Sequence, residues 1–432
     1  MLNYLWLGLI LCGVMLGVLT GHTEAVTTAT FDACKSSLMT IALPLGAVMA
    51  LWLGIMRLAE KSGAVERLAS MLRPLLTRLF PEVPADHPAM GAMVMNIAAN
   101  MLGLGNAATP LGLRAMQNLE SLNPRPGTAT NAMCTFLAIN TSSVQLIPAT
   151  AVGILAAAGA THPTAIIGTA FVATSCSFLT GITSVKLLQR LPMFALPPID
   201  PAQQKIAPIE TLENDPLPSA FAPLVLWKKI LLAAYVLIFV WEIIRLTASH
   251  NDSSLLISLI QSLSLLAIPF LIGFFPLYAA VRGVAVYDEF IEGAKEGLQV
   301  AFRIFPYLVA ILVAVGIFRA AGGIDLLTRF LSPALDLIGL PPQVLPLVLV
   351  RPMSGGAATG LFAEIVKACG PNSYAAQLAG TILGGTETTL YVLAVYFGSV
   401  AIRRGRHALA AGLLADAAGV AASLIICRLV FK

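Results

Sequence analysis

"LAINTSSVQLIP", residues 137–148, lies in the least charged part of the chain. No Asp, Glu, Lys or Arg occurs from Pro126 to Val185. Yet Asn140, Thr141, Ser142 and Ser143 stand together in the middle of that apolar stretch, with Gln145 just beyond. The run 128–158 is long enough to cross a bilayer, which takes about 20 helical residues. Polar side chains in a row at its centre mark a break in that span. A broken membrane helix exposes unpaired N–H and C=O groups, and lipid cannot satisfy them. Such a break is tolerated only beside protein or a watery cavity.

The surrounding composition makes lipid the solvent. The chain has 432 residues, of which 57% are hydrophobic and 11% charged, with a mean hydropathy of +0.85. Soluble domains carry about 25% charged residues, so a soluble core of this content would leave too little polar surface. The net charge of +4 is small and shows no basic nucleic-acid patch. Cys12, Cys34, Cys134, Cys176, Cys369 and Cys427 have neither metal-ligand spacing nor a disulfide framework. They read as buried apolar thiols. The N-terminal run "NYLWLGLILCGVMLGVLT" lacks a basic flank and is long for a signal peptide, so it reads as a retained first span.

Continuous spans are expected at 3–20, 36–57, 164–186, 229–247, 254–275, 298–319 and 407–428. Residues 373–402 form a second broken span, interrupted at 384–388. Two apolar segments, 86–120 and 342–370, are rich in small residues and interrupted near their centres by "GLGNAATPLG" and "RPMSGGAATG". Both read as re-entrant hairpins. Residues 191–227 hold eight prolines and no long apolar run, as an extended linker would. The chain therefore divides into a membrane half at 1–190, a linker at 191–227, and at 228–432 a linker helix with a second membrane half.

The halves repeat each other. "GNAAT" at 105–109 matches "GGAAT" at 355–359, and "SGAVERLASMLRPLL" at 62–76 matches "GGIDLLTRFLSPAL" at 322–335. Pro44, Gly54 and Arg57 fall opposite Pro306, Gly316 and Arg319 at one constant offset. "NTSS" at 140–143 lies opposite "GTET" at 385–388, and His162 opposite His407, again at one shared offset. A colinear series of this kind reads as an internal duplication. Lys and Arg then set the orientation. The cluster from Arg57 to Arg78, the linker and "RRGRH" at 403–407 belong on the cytoplasmic side with the N-terminus. "GATHPT" at 159–164 and the C-terminus belong outside. The second half then starts upside down relative to the first. Fully crossing hairpins would weaken this charge bias. The expected fold is an all-α polytopic membrane protein of two inverted repeats, each with a re-entrant hairpin and a broken transmembrane helix.

Several stretches resemble known families. "NMLGLGNAATPLGLRAM" and "FLAINTSSVQLIPAT" resemble the spore maturation protein A family. "RGVAVYDEFIEGAKEGLQVAFRIFPYLVAILVAVGIFRAAGG", "RPMSGGAATGL", "GGTETTLYVLAVYFGSV" and "RHALAAGLLADAAG" resemble the spore maturation protein B family. The likeness covers nearly the whole chain except the linker, as in a fusion of the two. Both belong to the wider Gate, or nucleoside-recognition, superfamily, with the concentrative nucleoside transporters and the membrane domain of the ferrous-iron transporter. The resemblance implies a multi-pass protein of the bacterial inner membrane, linked in spore formers to spore maturation, with no settled transport substrate. It also implies the hairpin, broken-span and continuous-span order of the concentrative nucleoside transporters, where hairpin tips and helix breaks form the site. No residue-level nucleoside motif carries over.

The polar residues of the tips and breaks are the candidate site. Glu387 is the sharpest of them. A carboxylate at mid-membrane costs about 3 kcal/mol unless paired, protonated or bound to a cation. Thr386, Thr388 and Thr389 add oxygens around it. Opposite stand Asn140, Thr141, Ser142, Ser143 and Gln145, which can bind an ion or solute, or only bond back to their own helix. Asp416, within the last span, is a second candidate proton carrier or a carboxylate that bonds a neighbouring helix end. Asn96 and Asn100 share a helix face of the first hairpin, whose tip carries Asn106 and Thr109. Ser354 and Thr359 are their counterparts in the second. Arg114, Glu364 and Arg351 are expected to be solvated or locally paired, and His162 and His407 to be loop residues.

No nucleophile–base pair, metal cluster or phosphate-binding loop is present, since no Gly-Lys-Ser/Thr follows "GLGNAAT". The expected function is a secondary transporter or permease for a small polar solute (nucleoside-like, organic anion or ion). The expected site is at mid-membrane, and coupling to Na⁺ or H⁺ fits its chemistry. No cofactor and no nucleic acid are expected. The bilayer and an unknown solute are the partners, and a homo-oligomer stays open. The alternative is a membrane scaffold or regulator of envelope or spore maturation that moves nothing.

Overall fold

The computed structural model describes residues 2–103, 105–142, 144–195, 225–249, 255–323, 326 and 338–431. Ser143, most of the linker, most of "GGIDLLTRFLSPAL" and the side chain of Asn106 lie outside the described residues. Among the described residues the fold is all helical, apart from an isolated bridge between Thr128 and Arg404. Among the described residues, seven helical segments are long and apolar enough to cross a membrane.

The first half opens with α1 (Leu2–Leu19) and α2 (Thr23–Ser36). A π-helical turn (Ser37–Ala42) joins α2 to α3 (Leu43–Lys61), so the second span is longer than the expected 36–57. α4 (Ala64–Leu79) follows, with Arg67, Arg73 and Arg78 on an exposed face. The expected first hairpin is α5 (Pro88–Met101) and α6 (Gly105–Ser121), packed against each other. The broken span is α7 (Asn131–Thr141) and α8 (Ala149–Ala157), and α9 (Ile166–Leu188) crosses back.

The second half begins with α10 (Leu226–Ser249), so the linker ends before it. α11 (Leu255–Arg282) and α12 (Val286–Ala320) follow. The second hairpin pairs a short α13 (Leu345–Val350) with α14 (Gly355–Cys369). The second broken span is α15 (Tyr374–Gly385) and α16 (Thr389–Ser399), and α17 (Ala408–Phe431) ends the chain. Neither hairpin segment is a straight transmembrane helix.

Two antiparallel helix pairs hold the halves together. α3 lies against α12, with Gly46 near Ala301, Met49 near Gly297 and Leu53 near Gly293. A Cβ on Gly297 would stand 2.4 Å from the Met49 carbonyl oxygen, so glycine is what lets these backbones meet. α9 lies against α17 in the same antiparallel sense. The Ser177 hydroxyl donates to the Ala415 carbonyl at 2.9 Å.

Polar contacts sort to the two ends of α9. At the Thr161 end, the Thr161 N–H donates to Asn372 Oδ1 at 2.9 Å. At the Lys186 end, Lys186 Nζ donates to the Leu79 carbonyl at 2.9 Å. Nearby, Arg406 donates to Phe194 O, Ala129 O and Asn131 Oδ1. The first hairpin opens toward the Lys186 end, and the loop after the second hairpin lies at the Thr161 end.

Candidate functional site

Both helix breaks have local causes. At the end of α7 the Thr141 and Ser142 hydroxyls both turn back to the Ala138 carbonyl, at 3.1 and 2.5 Å. Pro148 then sets the start of α8. Asn140 and Thr141 are the last residues of α7, and the break starts two residues later than expected. In the second half α15 runs through Gly385, and only 386–388 are extended. Gly384 packs directly on Pro148, where a Cβ would come within 2.4 Å of the proline ring. The two breaks thus touch.

Each break is tied to the hairpin of its own half. The Leu146 N–H donates to Met101 O at 3.1 Å, and the Leu390 N–H donates to Pro352 O at 2.8 Å. A side-chain tie accompanies each. In the first half it is neutral: Asn100 Nδ2 donates to Asn140 Oδ1 at 2.9 Å, and Asn140 Nδ2 donates to Phe136 O at 3.0 Å. In the second half it is charged. The Arg351 guanidinium, at the tip of the second hairpin, donates to Thr386 Oγ1 at 3.3 Å, Thr388 Oγ1 at 3.2 Å and Leu383 O at 2.9 Å. It also donates to Thr386 O. A cation thereby caps the carbonyl end of α15, where the helix dipole is negative. The Glu387 carboxylate stands 3.6 Å from the same guanidinium.

Tips and breaks enclose one cavity of about 580 Å³. Asn100, Thr109, Asn140 and Gln145 line it from the first half, and Arg351, Ser354, Thr359, Glu387 and Thr388 from the second. Met49 and Leu53 on α3, and Val300, Ile304 and Tyr307 on α12, close its sides. Tyr391 and Tyr396 on α16 complete it. Tyr396 accepts from Asn96 Nδ2, and Asn96 Nδ2 also donates to Ala108 O, which fixes the first hairpin against α16.

Other candidates sit elsewhere. Thr141, Ser142 and Thr389 are buried and do not line the cavity; Thr386 meets it only through Arg351. Asp416 is buried behind the second break and accepts from Thr389 Oγ1 at 2.6 Å, so it braces the start of α16. Glu364 is locally paired, with Arg319 Nη1 at 2.7 Å. His407 is not a simple loop residue. It is fully buried beside Phe194 (ring centroids 5.8 Å apart), with neither ring nitrogen hydrogen-bonded. Burial and the neighbouring Arg406 charge push it down to about 4. Cys134 and Cys427 are buried as expected, but Cys12, Cys34 and Cys176 lie on the outer faces of their helices.

Arg351 and the three tyrosines are the site residues that sequence reasoning passed over. Arg351 carries the same signal as Glu387, an ionised group at membrane depth. The tyrosines carry none, because an aromatic in an apolar helix is ordinarily core.

The comparisons agree with this architecture. The Gate family, described as nucleoside recognition, matches residues 42–158 and 301–403, which hold both hairpins and both broken spans. Spore maturation protein B of Bacillus subtilis (strain 168) is 47% identical over 173 residues, covering 40% of this chain and 97% of that protein. Spore maturation protein A of the same organism is 41% identical over 182 residues, covering 42% of this chain and 92% of that protein. Two such partial matches are what a fusion of an A-like and a B-like protein gives. Inner membrane protein YjiG of Escherichia coli (strain K12) is 31% identical over 84 residues, 19% of this chain and 55% of that protein. No solved structure matches the sequence. With the family's two segments falling on the elements that build the cavity, this multi-span membrane protein belongs to the Gate, or nucleoside-recognition, family.

Proposed function

We propose that the chain is a secondary transporter or permease of the bacterial inner membrane, and that it binds a small polar solute in the cavity between the two hairpin tips and the two helix breaks. The observation that carries this reading is that one cavity is lined by all four discontinuities. Non-helical backbone at membrane depth is stable where it borders a water-filled or ligand-filled space, and transporters of this type place their sites there.

The packing supports a relation between the halves by a pseudo-twofold axis, as inverted repeats would have. Equivalent helices pair with each other, α3 with α12 and α9 with α17, both antiparallel. Two further contacts come in exchanged pairs: α6 meets α16 as α14 meets α8, and α7 meets α17 as α15 meets α9. This is the arrangement implied by the resemblance to concentrative nucleoside transporters. The family description and the inner-membrane relative favour the same reading.

A scaffold that moves nothing is the second reading, favoured by the extent to which Arg351 is used in holding the fold. Thermal stabilisation of the purified protein, screened over nucleosides, organic acids, amines and metal ions, separates the two. A transporter gives solute-dependent stabilisation, and uptake of the same solute into proteoliposomes. Glu387→Gln changes the ion or pH dependence of that uptake more than Glu364→Gln does. Absence of both stabilisation and uptake across the screen favours the scaffold.

A further inference from the structure

From the polarity of the cavity we infer that its solute carries a positively charged amine, held by the Glu387 carboxylate with tyrosine faces around it. This rests on the reading of the cavity as the transport site and names the class of solute it takes.

Among the described residues only two charged side chains line the cavity, Arg351 and Glu387. They are not equally available. A guanidinium has five N–H donors, and Arg351 makes four hydrogen bonds to neutral oxygens of α15 and the second break. It is 8% exposed. Arg351 is therefore a clasp on the protein, with little left to receive a solute anion. Glu387 is the reverse. Its side chain is 32% exposed, and its one ion contact is the 3.6 Å approach of Arg351, longer than a hydrogen bond. It lines the cavity, and among the described residues no side-chain hydrogen bond ends on its carboxylate.

Helix dipoles do not offset this preference. The cavity meets the N-terminal ends of α8, α14 and α16, which favour anions. It also meets the C-terminal ends of α5, α7 and α15, which favour cations. Each break contributes one end of each sign, and the partial charges, about half a unit each, cancel to first order. Glu387, the more exposed member of an ion pair that closes only to 3.6 Å, then decides.

The neutral lining points the same way. Asn140 Nδ2 is committed to Phe136 O, and Asn100 Nδ2 donates to Asn140, so the amide pair keeps acceptor capacity. Thr359 donates its hydroxyl to Gly355 O and keeps its own lone pairs. Tyr307 and Tyr391, 47% and 58% exposed, present ring surface. A carboxylate with acceptors and aromatic faces suits an alkylammonium, through a charge-assisted hydrogen bond and cation–π contact.

The test uses full-length purified protein and measures thermal stabilisation by ethanolamine, putrescine and choline, against succinate, uridine and NaCl at matched ionic strength. At least one amine is expected to stabilise the wild type in a saturable way. Glu387→Gln should weaken that binding about tenfold or more, as loss of a charged partner in a desolvated site does. Tyr391→Leu should weaken it about two- to tenfold, and Tyr391→Phe less. Glu364→Gln, outside the cavity, should retain the amine-dependent increment even with a lower starting Tm. If Glu387→Gln does not fold, the Tyr391 pair carries the test. Saturable stabilisation by succinate or uridine with none by amines overturns the inference and leaves the transport reading standing. Equal stabilisation by NaCl and the amines overturns it too, by making Glu387 an inorganic-cation site. No stabilisation by any solute overturns both.

Discussion

At the scale of single residues, the second break is organised by Arg351. The rule that singled out Glu387 in the sequence, the cost of ionisation at membrane depth, applies equally to an arginine after "PLVLV". Expecting Arg351 at an aqueous edge hid it. What the sequence could not supply was the partner set, because Leu383, Thr386 and Thr388 lie more than thirty residues downstream of Arg351. Removing the guanidinium leaves the Leu383 and Thr386 carbonyls without their side-chain donor and the Glu387 carboxylate without its counter-charge. Arg351→Met should therefore destabilise the protein by about 1–3 kcal/mol, the range for leaving a buried acceptor unsatisfied. Arg351→Lys should recover part of that, since an ammonium restores the charge but not the planar fork. Thermal unfolding in detergent reads both. A wild-type Tm for Arg351→Met would show that the break is held by the backbone ties at Leu390 and Gly384 alone. The small hydroxyl residues illustrate the opposite case. The row Thr141–Ser142 sits at the break, yet these side chains bond back to Ala138 O and do not line the cavity. Sequence shows that hydroxyls are present, while the register of the last helical turn decides which way each one points.

Elements were more legible than residues. Length and hydropathy give the spans, and glycine-rich interruptions give the hairpins, because lipid permits few alternatives to a helix. The boundaries were less legible. α2 and α3 join through a π-helical turn into one long span. α12 extends over 35 residues because its polar first turns, from Asp288 to Glu296, continue beyond the apolar stretch to meet Arg57. Glu289 and Glu296 pair with Arg57 at 2.8 and 2.7 Å, a contact between halves that no local pattern reveals. The α3–α12 contact depends on glycines whose spacing was visible but whose partner was not. At Gly297 a side chain would strike backbone, with Ala50 N and Cα both 2.6 Å from the added Cβ, so no rotamer change can make room. At Gly316 the nearest atoms are 3.7 and 3.8 Å away, an ordinary contact. Gly297→Val should separate the two helices and cost about 1–3 kcal/mol, as overpacking does, and should widen the cavity that α3 and α12 close. Gly316→Ala should be near neutral. Parallel thermal melts compare them, and equal Tm values for both variants would mean that the α3–α12 approach is not a determinant of stability.

For the whole molecule, packing sorts the loops into two sets without reference to a membrane, and charge predicts which set is cytoplasmic. Thr161 and Asn372 meet at one end of α9, while Lys186, Asn131, Phe194 and Arg406 gather at the other. The distribution of charge then predicts the sides: "RRGRH" and the cluster from Arg57 to Arg78 fall in the second set, which is expected to be cytoplasmic. Had the second hairpin segment crossed fully, Thr161 and Asn372 would lie on opposite faces and could not bond at 2.9 Å; for the first hairpin the corresponding tie is Asn131 Nδ2 donating to Glu82 Oε1 at 2.9 Å. These contacts support a return of each hairpin to the side from which it enters. In a protein whose six native cysteines are replaced, Thr161→Cys and Asn372→Cys introduced singly should each react with a membrane-impermeant maleimide in intact cells. Introduced together, they should form a disulfide under external oxidation. Asn131→Cys and Arg404→Cys should react only after the membrane is opened. Labelling of all four from outside, or of Thr161→Cys and Asn131→Cys from the same side, would mean that α7 and α8 do not form one broken span. The two breaks would then lose their common depth, and the cavity its place at mid-membrane.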